Sequence, residues 1–315
     1  MNIKTCTIAL LLLSAATTVN AQSWDGTTVA DSYAGGDGSK DSPFLISNAA
    51  ELAKLSRDME VEADFSLGRY FRLTQDIVFN DGVAAAADKE GGDAFPPSPV
   101  IGAFASETDY TAFKGVFDGG GHVIRGLYHT FKQDITNYLA LFRVVEDGEI
   151  LNLGIEDSYV YAGAYLSNLV GRAINTRIIN CHVVESTLKG WGSNSGPLCA
   201  QALGTTKIQN SYCSGMDIYG KNDMGAIVGR IGNGDHNDVI VENCYADATI
   251  TLNNRTNRGG VTATNSEGSI VRNCYFTPGA ADDAVWPAQD KGTTVGCLQM
   301  TAVEMGTADF VQLLN

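Results

Sequence analysis

Histidine, proline and basic residues are all scarce in this chain, and each shortage closes off a class of function. Histidine occurs only at His122, His129, His182 and His236. None belongs to a His-Glu-x-x-His run, the spacing that sets two imidazoles and a general base on one helix face, so zinc proteolysis of that kind is excluded. Lysine and arginine number 21 against 36 acidic residues, a net charge of −15. That balance repels phosphate backbones and anionic lipid, so no nucleic acid and no membrane surface is expected as a partner. Beyond the first 21 residues no apolar run approaches the length a helix needs to cross a bilayer, and no membrane span is expected. Seven prolines stand against 35 glycines, a composition of many turns. Almost no stretch carries the apolar period of a helix.

What is present begins with a leader. Residues 1–21 hold Lys4, an apolar run from Ile8 to Leu13 and small residues ending Val19-Asn20-Ala21, a secretory signal with cleavage before Gln22. The chain is therefore read as exported, either secreted or held at the outer surface of a bacterium, with the periplasm also open to it. Cys6 precedes the apolar run and leaves with the leader, so six cysteines remain.

The second half of the chain repeats itself. Ile150-Leu151-Asn152, Ile178-Ile179-Asn180-Cys181-His182, Ile208-Gln209-Asn210-Ser211-Tyr212, Val241-Glu242-Asn243-Cys244-Tyr245 and Val271-Arg272-Asn273-Cys274-Tyr275 are near copies, their asparagines 28, 30, 33 and 30 residues apart. Such a period belongs to repeat architectures. A second series (Ala140-Leu141-Phe142, Leu169-Val170-Gly171, Leu198-Cys199-Ala200, Ile227-Val228-Gly229, Gly260-Val261-Thr262) precedes each asparagine by roughly ten residues, and a third apolar cluster follows it. Three short β-type runs per repeat, joined by turns too brief for crossover helices, can pair only if the chain winds as a coil. The expected fold is all-β: a three-sided parallel β-helix.

Parity sharpens this. Val241, Ala246, Ala248 and Ile250 cannot all point inward in one alternation, so the pleat slips by one near Asn243. Asparagine suits a corner, because it tolerates left-handed backbone and its amide can bond the next copy. Asn152, Asn180, Asn210, Asn243 and Asn273 are thus assigned to one structural corner. Cys181, Ser211, Cys244 and Cys274 then point inward as small fillers, so the cysteines are expected to be buried free thiols rather than disulfides. His182, Tyr212, Tyr245 and Tyr275 point outward as an aromatic ladder.

Along the chain, residues 22–41 look like a flexible lead-in and 42–276 like the solenoid. Asn48 with Glu51 opens a helix over about 49–59 that caps the first coil. Val83 to Pro99 is read as a mobile surface loop. Phe113 to Leu127 is a strand, glycine turn and strand feeding the first full coil. Residues 277–315 leave the repeat and read as a tail, the start of a downstream region.

Several of these runs together resemble a known family. Ser42-Pro43-Phe44-Leu45-Ile46 with Ala50-Glu51-Leu52, Tyr70-Phe71-x-Leu73 with Asp76-Ile77, Phe-x-Gly-x-Phe-Asp-Gly-x-Gly-His-x-Ile from Phe113 to Ile124, and the Gly-Leu-Val-Gly-like repeats resemble exported bacterial proteins with GLUG motifs. The resemblance covers about Asp37 to Phe276. It implies a right-handed parallel β-helix of the pectin-lyase-like kind, often surface-associated and found as an accessory region in adhesins and beside IgA-type metallopeptidase domains. Leu198-Cys199-Ala200 and Val261-Thr262-Ala263 lack the closing glycine of that pattern.

Chemistry is sparse. The pairs Glu156-Asp157, Asp235 with Asp238, and Asp282-Asp283 are where a polysaccharide lyase or glycoside hydrolase would find its carboxylates, yet each falls in a loop or strand edge where an acidic protein keeps solvated acids. Gly119-Gly120-Gly121-His122 is a turn, with Asp118 as its turn-forming side chain. The loop from Gly232 to Asp238 offers oxygen ligands for calcium without an EF-hand's spacing. The chain is expected to need no cofactor and no metal, to have no catalytic residues, and to act as a monomeric, non-catalytic binding or adhesion module. Its expected partner is a glycan or a surface protein, met on the ladder of His182, Tyr212, Tyr245 and Tyr275. A carbohydrate-active β-helix enzyme is the alternative.

Overall fold

In a chain of short strands and shorter turns, backbone groups are satisfied by pairing each strand with its copy one repeat on. The computed structural model, which describes residues 24–86, 95–131, 137–233, 237–253, 257–307 and 310, shows such a parallel β-helix with three walls. The first wall is a nine-stranded sheet from Phe44–Ile46 through Tyr70–Leu73, Val116–Asp118 and Glu149–Leu151 to Ile270–Arg272 and Thr293–Val295. The second runs from Ile77–Val78 through Gly154–Glu156, His182–Val184, Tyr212–Gly220 and Tyr245–Leu252 to Leu298–Gln299, and Tyr159–Ala162 and Thr187–Gly190 widen it sideways. The third stacks Phe142–Glu146, Val170–Ile174, Cys199–Leu203 and Val228–Ile231. Among the described residues, antiparallel pairing is confined to the hairpin of Ala103–Ser106 with Asp109–Thr111 and to a bridge between Gly35 and Leu45.

The core is a set of files. Phe117, Ile150, Ile178, Ile208, Val241 and Val271 pair in register down the first wall and none is accessible. Ile124, Ile155, Val183, Cys213, Ala246 and Phe276 do the same down the second. Between the two walls stand the repeated asparagines. Asn152, Asn180, Asn210, Asn243 and Asn273 all have φ between 51° and 55°, a conformation costly for most side chains and tolerated by asparagine. Their amides link coils: Asn152 Nδ2 donates to Asp118 Oδ1 (2.9 Å), Asn180 to Asn152 Oδ1 (3.1 Å), Asn243 to Asn210 Oδ1 (3.3 Å) and Asn273 to Asn243 Oδ1 (3.4 Å).

The residue after each asparagine turns inward; after Asn152 it is the buried Leu153, and in the four later coils it bonds the carbonyl two residues back. Cys181 Sγ reaches Ile179 O at 3.4 Å, Cys244 Sγ reaches Glu242 O at 3.2 Å, Cys274 Sγ reaches Arg272 O at 3.3 Å, and Ser211 Oγ does the same to Gln209 O at 2.8 Å. A weak thiol donor and a hydroxyl are interchangeable there because the site asks for one small donor. All six cysteines outside the leader are free.

The helix spans Ala49–Val61, with Asn48 Oδ1 accepting from Glu51 N–H at 3.0 Å. Leu52, Leu55 and Met59 are buried on the core, so it closes the first coil as its apolar spacing predicts, and the Glu51 carboxylate reaches back to accept from Ser47 N–H at 2.6 Å.

Elsewhere the structure departs from expectation. The lead-in is held from Trp24 onward: Trp24 packs edge-on against Phe79 at 5.3 Å, Tyr33 stacks on Phe44 at 4.5 Å and bonds Asp58 at 2.7 Å. Two aromatic anchors outweigh its polar composition. Winding also continues past Phe276, because Thr293–Val295 pairs with Ile270–Arg272 and Leu298–Gln299 with Tyr275–Phe276. That coil was hidden because its asparagine is replaced by Gly296, φ 64°, ahead of Cys297. Val83 is buried against Tyr128 and Tyr159 rather than part of a surface loop. Residues 87–94, the leader and its cleavage point lie outside the described residues. The run from Phe113 to Leu127 does form strand, glycine turn and strand, with Val116–Asp118 and Val123–Arg125 on different walls around a corner made by Gly120 and Gly121.

Candidate functional site

The outward ladder stands on the second wall, one residue past the inward cysteine or serine of each coil. His182, Tyr212, Tyr245 and Tyr275 are Cα partners in unbroken register. The His182 and Tyr212 rings are 5.0 Å apart and 11° from parallel, and those of Tyr212 and Tyr245 are 4.8 Å apart at 3°. That separation is the strand spacing itself, so the backbone sets the stack. Gly154 is the rung before His182, and a Cβ there would lie 2.3 Å from His182 Nε2. Glycine at this position lets the imidazole lie over the preceding coil.

Tyr275 does not share the exposed face. It is 5% accessible and lies under Phe310, whose ring meets it edge-on at 5.0 Å and meets Tyr245 at 5.5 Å. The open part of the ladder is therefore His182, Tyr212 and Tyr245, all half-buried. Burial raises the pKa of Tyr212, and burial followed by the neighbouring Tyr212 raises that of Tyr245 to about 12. Burial lowers that of His182, against the pull of Glu156 3.8 Å away. At neutral pH the file is an uncharged surface of ring edges and hydroxyl donors.

A second aromatic group on the same wall escaped the sequence reading. Tyr161, Lys189, Tyr219 and Thr251 form an outward file in register, and Trp191 packs edge-on against Tyr161 at 5.2 Å. Trp191 and Tyr219 are each 39% accessible, so they offer aromatic surface that the ladder withholds. The signal was alternation: Val160, Leu188 and Ile218 point inward, which turns Tyr161, Lys189 and Tyr219 out.

The carboxylate pairs are not brought together in one groove. Glu156 pairs with Arg125, and Asp157 accepts the backbone N–H groups of Gly82 (2.7 Å) and Ala84 (2.9 Å). Asp282 and Asp283 are exposed at the far end, Asp238 is exposed, and Asp235 lies outside the described residues with the centre of the candidate calcium loop. Other acids clamp adjacent rungs, Glu149 to Arg177 at 2.8 Å and Glu242 to Arg272. Asp118 holds its corner as a turn residue, accepting from Gly120 N–H and Asn152 Nδ2 at 2.9 Å each.

The fold is shared with the crystal structure of a candidate immunoglobulin A1 protease from Bacteroides ovatus, with a TM-score of 0.56 over 90% of this chain and 89% of that one. At 18% identity this likeness establishes the fold alone. Over 129 residues, 41% of the chain, the sequence is 32% identical to a protein of Evansella cellulosilytica named as a candidate Gly-rich membrane protein. The match spans 12% of that relative's length. No family model matches the chain. Among the described residues no helix is long and apolar enough to cross a membrane.

Proposed function

We propose that the chain is an exported, non-catalytic binding module of a bacterial surface, taking an extended glycan along its second wall. The observation that carries this is the in-register outer file of His182, Tyr212 and Tyr245 beside the accessible Tyr219 and Trp191. A coil that repeats one ring and one hydroxyl per rung presents the same contact again and again along its axis, and a polymer with a repeating unit can exploit that. The reading of the repeats as GLUG motifs fits an accessory role of this kind. Proteolysis is not extended to this chain from its structural neighbour, since none of the four histidines stands in a His-Glu-x-x-His run. Support for binding over carbohydrate cleavage comes from Glu149, Glu156 and Glu242, held in rung-to-rung pairs, and from Asp118 and Asp157, which accept backbone N–H groups.

The test is a glycan array probed with the mature chain and with a Tyr212→Ala/Tyr245→Ala double variant. Single changes should weaken a bound glycan partly, and the double variant should lose it while its circular dichroism stays strand-rich. A folded double variant that binds as well as the parent removes the ladder from the binding surface.

A further inference from the structure

Away from the aromatic wall, a cleft of about 490 Å³ opens between the capping helix, the lead-in and the segment around Pro97 to Ala103. That volume lies in the range of small-molecule sites. Trp24, Val29, Met59, Phe131 and Leu139 give it apolar sides, and Val29 and Phe131 are 43% and 44% accessible. Arg57 and Glu60 pair with each other at 3.8 Å, both largely exposed. The remaining charge on the lining is Arg143.

Arg69, Arg143, Arg230 and Arg258 form no ion pair among the described residues, and of these Arg143 is the one that lines the cleft. In a chain of net charge −15, the arginines that are turned toward acids find them: Arg72 has Asp118, Arg125 has Glu156, Arg177 has Glu149 and Arg272 has Glu242. Arg172, one coil beyond Arg143 on the third wall, is held by Glu107 at 2.5 Å. Arg143 is half-buried and forms no ion pair among the described residues. One Nη donates to Asn137 O at 3.3 Å, while Nε is shut off from solvent without an acceptor. Burial alone accounts for the direction in which its pKa moves, downward. A partly desolvated guanidinium without a counter-charge is costly, and a carboxylate arriving in the cleft would relieve that cost through charge-assisted, potentially bidentate hydrogen bonds.

We propose that this cleft is a second binding site, independent of the aromatic wall, for a small carboxylate with an apolar body, its carboxylate paired with Arg143 and its body against the accessible side chains of Val29 and Phe131. Trp24 on the lining supplies the readout, because tryptophan otherwise occurs only at 191 and 286. In a Trp191→Phe/Trp286→Phe background, phenylacetate should change Trp24 emission saturably, and its neutral counterpart phenylacetamide should bind at least about tenfold more weakly. Methyl glucuronoside against methyl glucoside forms the second arm and tells whether an acidic sugar or an apolar acid is the better occupant. Arg143→Gln should abolish the preference for the charged ligand, and Arg143→Lys should keep part of it. Equal binding of the charged and neutral members of both pairs overturns the proposal, as does absence of binding by either carboxylate at millimolar concentration. If Arg143→Gln does not fold, the comparison of charged and neutral ligands on the parent, with Arg143→Lys, decides.

Discussion

Replacing Ile208 with alanine probes the stacked core at its most constrained point. Ile208 is inaccessible and lies in register between Ile178 and Val241, themselves inaccessible. Three carbons are lost, worth about 2.4 kcal/mol at roughly 0.8 kcal/mol for each buried methylene. The rungs above and below are fixed by their own ladders, so the void collapses little and the total should fall within about 2–5 kcal/mol. Ile208→Val removes one carbon at a file position where the next two rungs already carry Val241 and Val271, and should cost about 0.5–1.5 kcal/mol. Lys207→Ala, one residue earlier and exposed, should change stability by less than about 0.5 kcal/mol. Urea unfolding followed by circular dichroism gives the differences. Hydrogen exchange belongs beside it, because a solenoid can open coil by coil and the loss of protection should centre on the rungs of Ile178 and Val241. An alanine variant no weaker than Lys207→Ala would refute the stacked file.

Two further outcomes follow from buried groups. Reductant alone should leave the native fold intact, and a thiol reagent should modify Cys297 in the native protein while Cys181, Cys199, Cys213, Cys244 and Cys274 react only on unfolding, since these five are buried and Cys297 is partly accessible; rapid native labelling of Cys244 would contradict this. His129 faces inward in register with Val160, its Nε2 has no acceptor, and burial drives its pKa down to about 4. Below pH 6.5 the unfolded chain takes up a proton that the folded chain refuses, so stability should fall as pH drops from about 6.5 towards about 4. His129→Leu, which matches Leu188 two rungs on, should raise stability and flatten that limb, and an unchanged pH slope in denaturant titrations would show that His129 is not its source.

Much of the solenoid was legible because the same constraint is written five times. Asn152 through Asn273 announce a left-handed backbone position, the small residue after each announces an inward turn, and the period between them announces the coil. What stayed hidden had no repetition behind it. The coil of Thr293 to Gln299 carries Gly296 where its predecessors carry asparagine, an equivalent solution to the same φ that a motif search passes over. A second left-handed corner falls at Asp157, Glu185 and Gly215, with φ of 46°, 48° and 63°, and three unlike residues conceal one shared geometry. The anchoring of the lead-in stays hidden because composition averages over residues, whereas it rests on two aromatic side chains, Trp24 and Tyr33, and on backbone bonds such as Ala30 N–H to Ala50 O. The cleft around Arg143 was not foreseeable from local pattern, since its lining comes from six separated stretches that meet only when the helix docks.

The geometry of the ladder also sets limits on what it can recognise. Rings 4.8–5.0 Å apart and within 11° of parallel turn their faces to one another, so those faces are already occupied by stacking along the axis. Phe310 meets Tyr245 and Tyr275 edge-on, which closes the far end of the file in the same way. A ligand on this wall would touch ring edges and phenolic hydroxyls there, and would find more accessible aromatic surface at Trp191 and Tyr219. Recognition by such a surface depends on hydrogen bonds at fixed rung spacing with stacking at one side of the strip. For a glycan bound as proposed, that division would leave register to the ladder and apolar contact to the Trp191 side.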